Sequence, residues 1–287
     1  MTGRAALLAW FAPRRRKYPW RGARDPYRVL VSEVMLQQTQ AARVAPAYRA
    51  FVRRFPTVGT LARAPRADVV RAWGSLGYNR RAVALSEAAR IVVRDHGGGI
   101  PDEVEVLLRL PGVGPYTAAA VAALGHGVPV PAVDTNVRRV VARARVGGDD
   151  AAPSEIETAA AAWLDRADPG SWNQALMDLG REVCRPLPRC GACPLSSTCR
   201  FRLLDETPGL RPRKQGPFEG SFRQLRGAVI RELRTVDRST LGSLASRVGR
   251  SQASVASAVR RLTAEGLVRA GPAALAGRPM GRVRLAP

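Results

Sequence analysis

Lysine is almost missing from this strongly basic chain. Of its 46 basic residues only Lys17 and Lys214 are lysines, and all the others are arginines. An arginine guanidinium keeps its proton in proteins and cannot act as an amine nucleophile. A mechanism that passes through a Schiff base would therefore have to use one of these two side chains or the terminal amine.

Long apolar runs are absent as well. No stretch of about 18 uncharged apolar residues occurs, so we expect no membrane span. The N-terminal sequence MTGRAALLAWFAPRRR places its arginines after its apolar residues, which is the reverse of a secretory signal. This order is typical of an ordinary amphipathic helix, and we expect a cytoplasmic protein.

Alternation of apolar and polar residues, the pattern of half-buried strands, is nearly absent from residues 1–185. The periodicity there predicts helices joined by short turns that contain proline or glycine, and therefore an all-α architecture. The predicted helices cover about residues 27–40, 41–54, 58–64, 67–73, 79–96, 103–109, 115–125, 134–145, 153–166 and 171–182.

The C-terminal part has a different pattern. Residues 206–221 are rich in proline, glycine and charge and are predicted to be a linker. Residues 222–287 begin with a helix, continue with two helices that Ser239 and Ser251 would cap around a turn at Gly249, and end in a tail that could form a hairpin. This order is typical of a winged-helix module. A small helical cap on the main domain is the alternative.

The formal net charge of +23 indicates a polyanionic partner. A compact protein with so large a charge of one sign repels itself unless a polyanion binds it. Nucleic acid is the partner that this charge favours. An acidic membrane surface is the alternative, but no basic amphipathic helix with an aromatic-rich face supports it. Within the C-terminal module the arginines suited to phosphates are Arg247, Arg250, Arg260 and Arg261.

Cysteine is scarce, and all four cysteines fall within 16 residues, at Cys184, Cys190, Cys193 and Cys199. Their spacing, C-x5-C-x2-C-x5-C, favours a [4Fe–4S] cluster held by four thiolates. A structural zinc site, which usually has two short cysteine pairs, and free thiols are the alternatives. A disulfide is not expected in the cytoplasm. The cluster would brace a loop that presents its flanking arginines to DNA.

The segment LLRLPGVGPYTAAAVAALG, residues 107–125, predicts two helices joined by a PGVG turn. Gly112 and Gly114 allow the backbone to come close to a ligand. The N-terminus of the second helix can bind a phosphate with its N–H groups. This helix-hairpin-helix pattern would hold a DNA backbone without reading its sequence. A purely structural turn is the alternative.

Two carboxylates stand out from the helical pattern. Glu33 lies in the apolar stretch SEVMLQQTQ, where burial raises the pKa of a carboxyl group. Asp134 begins a predicted helix in VDTNVRRV, where it would cap the helix and where the helix dipole would keep it ionised. A protonated acid and an ionised carboxylate form a pair that cleaves glycosidic bonds.

A nucleobase that serves as the leaving group must first leave the base stack. Gln37 and Gln38 are placed to fill the gap that the flipped base leaves, and Tyr78 could intercalate there. The alternative for each of these three residues is ordinary packing in the core or at the surface.

Together these residues resemble the helix-hairpin-helix DNA glycosylase superfamily, which includes endonuclease III, and most of all its adenine glycosylase branch, the MutY type. The resemblance extends over about residues 8–205. The segments that carry it are PWR (19–21), DPYRVLVSEVMLQQTQ (25–40), WGSLGYNRRA (73–82), LPGVGPYTAAA (110–120), VDTNVRRV (133–140) and WNQALMDLG (172–180).

The resemblance implies a role for individual residues. Glu33 would protonate N7 of a flipped adenine, and Asp134 would stabilise the sugar cation with the help of Tyr116 and Asn136. The residues that would line the adenine pocket are Arg16, Trp20, Arg21 and Gln174. The residues that would lie beside the opposite base, 8-oxoguanine, are Leu36, Gln38, Thr39, Leu76 and Tyr78.

Bifunctional relatives have a lysine nucleophile where this chain has Tyr116, so the resemblance implies a monofunctional glycosylase. The chain departs from the family pattern in three respects. Its first cysteine gap has five residues where the family usually has six. Asn79 follows Tyr78 where the branch often has a second aromatic residue. The usual Nudix-like C-terminal domain has no counterpart, because residues 222–287 are too short and too helical.

We therefore expect a two-lobed, all-α iron–sulfur DNA glycosylase with a small winged-helix-like C-terminal module. One lobe would be a six-helix bundle of residues 30–128, and the other would join residues 1–29 to 129–205, with DNA between them. The substrate would be adenine mispaired with 8-oxoguanine or guanine in double-stranded DNA, and we expect a monomer. The alternatives are a thymine or uracil glycosylase acting on G:T or G:U mismatches and a non-catalytic DNA-damage-binding protein or transcription factor.

Overall fold

The computed structural model of the chain describes residues 3–15, 18–22, 24–205, 208 and 218–287. Its helices are α1 (Gly3–Phe11), α2 (Pro26–Leu36), α3 (Ala41–Arg54), α4 (Val58–Arg63), α5 (Arg66–Ala72), α6 (Arg80–Asp95), α7 (Val104–Leu107), α8 (Pro115–Val121), α9 (Thr135–Val141), α10 (Pro153–Trp163), α11 (Pro169–Glu182), α12 (Arg200–Leu203), α13 (Phe222–Thr235), α14 (Leu241–Val248), α15 (Gln252–Ala264) and α16 (Pro272–Leu275). Its strands are β1 (Ser239–Thr240), β2 (Val268–Ala270) and β3 (Arg282–Leu285). The all-α core is thereby confirmed, and each helix predicted between residues 27 and 182 is present.

Polar side chains fix the starts of several helices by accepting hydrogen bonds from first-turn N–H groups. Thr57 caps α4 and Asp168 caps α11 in this way. Ser251 caps α15 as predicted, but the predicted cap Ser239 lies one residue too early. Thr240 caps α14 instead, because its hydroxyl accepts from the N–H of Ser243.

Helix α2 ends at Leu36 and not near residue 40, so the predicted helix was too long. Gln38 has φ 55°, in the left-handed region, and a right-handed helix cannot continue through such a residue. Gln37, Gln38 and Thr39 therefore form a turn after the helix, and the two amides are not on the helix that carries Glu33.

The chain forms two compact units. The first contains the described residues of Met1–Val34 and Ile100–Lys214, and the second those of Met35–Gly99 and Gln215–Pro287. This division differs from the predicted lobes, since residues 100–128 belong to the first unit and residues 222–287 to the second. Ala119, Ala120 and Ala132 form one buried cluster that Met177 of α11 also covers, which explains why the region of α8 belongs with α11.

The core of the first unit packs α1, α9, α10 and α11 together. Leu7 and Phe11 of α1 lie with Val137 and Val140 of α9 in one buried cluster. The rings of Trp163 and Trp172 meet edge to face, with centroids 6.0 Å apart. This core holds the N-terminus of α9, which Asp134 caps, and the inner face of α11.

The second unit combines α3–α6 with the C-terminal helices and strands. The strands form an antiparallel sheet in the order β1-β3-β2, and α16 lies in the connection between β2 and β3. The buried residues of α13, α14, α15 and the sheet form one cluster with Val70 of α5, and Ala67 and Val83 pack against it. The C-terminal residues therefore have a core of their own that extends onto α5 and α6. Their assignment as a winged-helix module stays a prediction.

Among the helices of the described residues, none has both the length and the apolar character that a bilayer span requires.

Candidate active site

Glu33 lies on α2 with only 5% of its surface exposed, in the buried setting that its sequence context predicts. Burial raises the pKa of its carboxyl to about 7, and the negative charge of Asp134 adds to this rise. A hydrogen bond from Tyr116 and the charge of Arg21 act in the opposite direction but are outweighed. A large share of Glu33 is therefore protonated at neutral pH, as a general acid must be.

Tyr116 lies in the first turn of α8 and donates its hydroxyl proton to Oε2 of Glu33, at 2.8 Å. Burial and the nearby charges of Glu33 and Asp134 hold the pKa of the phenol well above its ordinary value, so Tyr116 remains a neutral donor. The resemblance implied that Tyr116 assists Asp134. Its hydrogen bond goes to the other carboxyl group.

Asp134 caps α9, as its position in the sequence predicts. Its Oδ1 accepts from the N–H groups of Asn136, at 2.9 Å, and Val137, at 2.7 Å. Its Oδ2 accepts from the side-chain amide of Asn136, at 3.0 Å. These three donors hold the carboxylate in one orientation, within electrostatic reach of Glu33.

Asn173 of α11 fixes the segment that leads to Asp134. It is fully buried, its Oδ1 accepts from the N–H of Ala132 at 2.7 Å, and its Nδ2 donates to the carbonyl of Val130 at 3.0 Å. Two turns further along α11, Gly180 packs against α9. A Cβ at this glycine would come within 2.8 Å of the carbonyl oxygen of Asn136, so only glycine allows the two helices to approach this closely.

The remaining residues predicted for the adenine pocket are only partly connected by contacts. Arg21 is largely buried, with 9% of its side chain exposed, and donates to Oδ1 of Asp178, at 2.9 Å. Gln174, one turn before Asp178 on α11, is buried as well. Trp20 is buried and stacks on Tyr18, with ring centroids 5.0 Å apart and planes 3° from parallel. Arg16 lies outside the described residues.

Among the residues around the predicted adenine pocket, three buried polar atoms have no hydrogen-bond partner in the described part of the chain: Nη1 of Arg21, Oε1 of Gln174 and Oδ2 of Asp178. Buried polar atoms are nearly always paired, and exceptions are frequent where a ligand binds. The three atoms offer one donor and two acceptors to a polar ligand. Sequence reasoning missed Asp178, Asn173 and Gly180, although all three lie in the motif WNQALMDLG.

The residues predicted to contact the opposite base lie in two turns of the second unit, apart from Leu36 at the end of α2. Tyr78 is 45% exposed and has φ 47°. Gln38 shares this left-handed conformation. Leu76 is buried, so it supports its turn from within and is not part of the surface.

Arg81 holds the first of these turns and was missed by sequence reasoning. Its Nη1 donates to the backbone carbonyls of Met35, at 2.8 Å, and Gln37, at 2.5 Å. Its Nη2 donates to the hydroxyl of Thr39, at 3.1 Å. These contacts satisfy the carbonyls at the end of α2 that a longer helix would have used.

The same guanidinium also holds the second turn. Its Nη2 donates to the carbonyl of Gly77, at 3.2 Å. Its Cζ lies 5.4 Å from the ring centroid of Tyr78 and 5.3 Å from that of Trp73. Burial lowers the pKa of Arg81 to about 10, so the guanidinium stays charged at neutral pH. One side chain therefore positions both turns.

The four cysteines follow α11 in the first unit, and each is half-buried. Burial raises the pKa of the Cys184 thiol, and burial with the neighbouring thiols raises the pKa of Cys193 to about 11. Arg139 and Arg143 of the α9 region anchor this loop through the carbonyls of Cys184, at 2.6 Å, and Arg185, at 2.6 Å. No group of three or more metal-binding side chains in the described part of the chain is arranged closely enough to hold a metal ion.

The turn between α7 and α8 has the predicted glycines. Gly112 has φ +79°, which favours glycine, and Gly114 precedes α8 in an extended conformation. Pro115 then occupies the first position of the helix, where its missing N–H costs no hydrogen bond. The two helices and the glycine turn predicted for the helix-hairpin-helix are therefore present, with Tyr116 directly after the turn.

Comparisons with known proteins agree with this geometry. Residues 31–166 match the family model described as "HhH-GPD superfamily base excision DNA repair protein". The adenine DNA glycosylase of Mycobacterium tuberculosis (strain CDC 1551 / Oshkosh) is 46% identical over 238 residues, which cover 80% of this chain and 78% of that protein. The adenine DNA glycosylase of Mycolicibacterium smegmatis (strain ATCC 700084 / mc(2)155) is 44% identical, with 79% of each chain covered.

Among solved structures, a thermostable thymine-DNA glycosylase has a similar fold. The TM-score is 0.65 and the sequence identity 31%, and the match covers 70% of this chain and 95% of the other.

Proposed function

The chain belongs to the adenine DNA glycosylases of the HhH-GPD base excision repair superfamily, and on this premise we propose that it hydrolyses the bond between a flipped, mispaired adenine and its sugar. The observation that carries the proposal is the buried carboxyl of Glu33. Its pKa is raised to about 7 and Asp134 lies within electrostatic reach. A proton donor and a second carboxylate in one site are what glycosidic bond cleavage requires.

The proposed reaction needs no group beyond these side chains and water. Glu33 transfers its proton to N7 of adenine, and the electron pair of the C1′–N9 bond leaves with the base. Asp134 stabilises the positive charge that remains on the sugar until water adds to C1′ and releases a proton. The hydroxyl of Tyr116 and the charge of Arg21 stabilise the Glu33 carboxylate that proton transfer creates, since both lower its pKa.

The enzyme would be monofunctional and would leave an abasic site intact. Tyr116 follows the helix-hairpin-helix turn where a lysine nucleophile would have to stand, and a phenol cannot form a Schiff base. The chain has only two lysines, both outside the described residues. The hairpin itself, with Gly112 and Gly114, would contact the DNA backbone.

We propose that Cys184, Cys190, Cys193 and Cys199 hold a [4Fe–4S] cluster. No three of these thiols are close enough to hold a single metal ion, but Cys193 lies within electrostatic range of the other three. Four thiols are the ligand set of this group, and the loop contains no aspartate, glutamate or histidine that would compete as a ligand. Bound there, the cluster supplies four iron–thiolate bonds that cross-link the loop. Arg139 and Arg143 already tie the same loop to α9, so its role would be to fix the loop.

The partner would be double-stranded DNA, and Leu36, Gln37, Gln38, Thr39 and Tyr78 would contact the bases at the lesion. The exposed ring of Tyr78 supports an intercalating role, since it projects from a turn that Arg81 holds. Because these contacts are few, we expect them to give a smaller preference for A:8-oxoguanine over A:G than a Nudix-like domain would provide.

A single-turnover assay on duplexes with A:8-oxoguanine, A:G, G:T and G:U tests the proposal. We expect adenine release from the first two, and no release by Glu33→Gln. The matched control is Glu157→Gln, which removes an exposed carboxylate of α10 in the same unit. Release of thymine or uracil alone would support a mismatch thymine glycosylase, in line with the structural match. Binding without release of any base would support the non-catalytic alternative.

A further inference from the structure

Three arginines share the exposed side of the C-terminal sheet, and we call Arg269, Arg282 and Arg284 the arginine face. Arg269 of β2 is paired directly with Arg284 of β3. Arg282 lies two residues before Arg284 and therefore on the same side of the strand. All three are exposed, whereas the alternate residue Val283 is buried in the core.

This arrangement is unfavourable for the free protein. Like charges directly opposite each other destabilise a sheet. The C-terminal module, residues 222–287, has thirteen arginines but only three acidic residues. All three acids are held in ion pairs on other elements: Glu232 with Arg247, Asp237 with Arg71, and Glu265 with Arg226 and Arg261.

The arginines that the sequence suggested for phosphates are mostly engaged within the protein. Arg247 and Arg261 are ion-paired, and Arg260 donates to the carbonyl of Leu275 at 3.1 Å. No hydrogen bond or ion pair within the described chain involves the side chains of the arginine face. Of those four arginines only Arg250 has no such partner among the described residues, whereas the arginine face brings three unneutralised guanidinium groups together on one sheet.

We propose that the arginine face binds the phosphate backbone of duplex DNA, as a contact separate from the residues around Glu33. Guanidinium groups are suited to phosphate oxygens, and a bound backbone would neutralise charges that no acid of the module reaches. The choice of DNA among polyanions rests on the proposed function. Because phosphate contacts carry no sequence information, this surface would add affinity for matched and mismatched duplexes equally.

Fluorescence anisotropy with a fully matched duplex over a series of salt concentrations tests this surface without base flipping. The variants are the triple change Arg269→Gln, Arg282→Gln and Arg284→Gln, and the same triple change to lysine. A single pair, Arg284→Gln against Arg231→Gln, compares equal losses of charge within the module, because Arg231 is exposed on α13.

We expect the log–log salt slope of the triple glutamine variant to be shallower by about 2 to 3, since each phosphate contact contributes about 0.9, and its affinity at about 0.1 M salt to be lower by about 10²- to 10³-fold. The triple lysine variant should keep the slope, and Arg284→Gln should flatten it more than Arg231→Gln. The glutamine variant should melt at the same temperature as the wild type or higher, because a repulsion is removed.

An unchanged slope in a folded triple glutamine variant would overturn the proposal. So would loss of binding to phosphatidylserine vesicles with DNA binding unchanged, which would assign the face to a lipid surface. Excision by the wild type, measured in parallel, separates the two claims. If excision proceeds while the slope is unchanged, only the arginine face is wrong, and if excision fails, the proposed function is wrong.

Discussion

The surroundings of Glu33 in the first unit and of Tyr78 in the second hold functional groups in opposite ways. Around Glu33, buried side chains from α2, α8, α9 and α11 constrain one another, and burial itself changes the chemistry of the carboxyl. Around Tyr78, the groups of interest lie in turns at the surface, and a single partly buried guanidinium fixes them through backbone carbonyls. The first arrangement changes the pKa of a catalytic acid, and the second fixes the position of residues at the surface.

The largest effect should come from Glu33→Gln. General acid catalysis typically contributes about 10²–10⁴-fold, so the single-turnover rate should fall at least that far, while duplex binding stays within a few-fold. Near wild-type excision by this variant would show that burial of the acid has another purpose.

The same substitution should raise stability. The folded-state pKa of about 7 exceeds the ordinary value of 4.5, so the folded protein loses stability as the pH rises through this interval. Glutamine does not titrate, and above pH 7 the variant should be more stable by about 3 kcal/mol. Thermal melting at pH 5 and pH 8 measures this, and an equal pH response of variant and wild type would contradict it.

Arg81→Lys should act on the second unit alone. Lysine cannot donate simultaneously to both turns, so the residues beside the opposite base lose their fixed position. We expect the ratio of excision rates between A:8-oxoguanine and A:G to change by about tenfold, since a lost base contact costs about 1–3 kcal/mol. Arg80→Lys, at the exposed neighbouring position, is the control. An unchanged ratio in a folded Arg81→Lys protein would contradict its positioning role.

The pH profile of excision should distinguish the two environments further. Because the protonated form of Glu33 is the active one, the rate should fall about tenfold per pH unit above its pKa of about 7. Arg81→Lys should not change the pH at which this alkaline fall in rate begins, since it changes no contact of Glu33. A shift of that pH in Arg81→Lys would mean that the turns held by Arg81 and the surroundings of Glu33 are coupled.

The smallest effect concerns Tyr116→Phe. The hydroxyl lowers the pKa of Glu33, so its removal should move the alkaline limb to higher pH and reduce the maximal rate only modestly. A purely structural role for Tyr116 would lower the rate at every pH without moving the alkaline limb of the profile.

Borohydride treatment of wild-type reactions should trap no covalent DNA adduct, and efficient trapping would rule out the monofunctional reaction.

Much of the structure around Glu33 could be predicted, because the sequence patterns that indicate it are local. The apolar periodicity of SEVMLQQTQ indicates that Glu33 is buried, and an aspartate before an apolar-periodic segment indicates that Asp134 caps α9. The end of α2 could not be predicted in this way, because Arg81 satisfies its last carbonyls from 44 to 46 residues away in the sequence. The roles of Asn173 and Gly180 likewise depend on contacts between helices.

The left-handed backbone of Gln38 and Tyr78 has a consequence for the entropy of recognition. A residue with a side chain pays roughly 1–2 kcal/mol to adopt this conformation. Because Arg81 holds both turns in the absence of DNA, the free energy needed to order them is supplied when the protein folds. DNA binding then requires little further ordering of these two turns, so less conformational entropy is lost on binding.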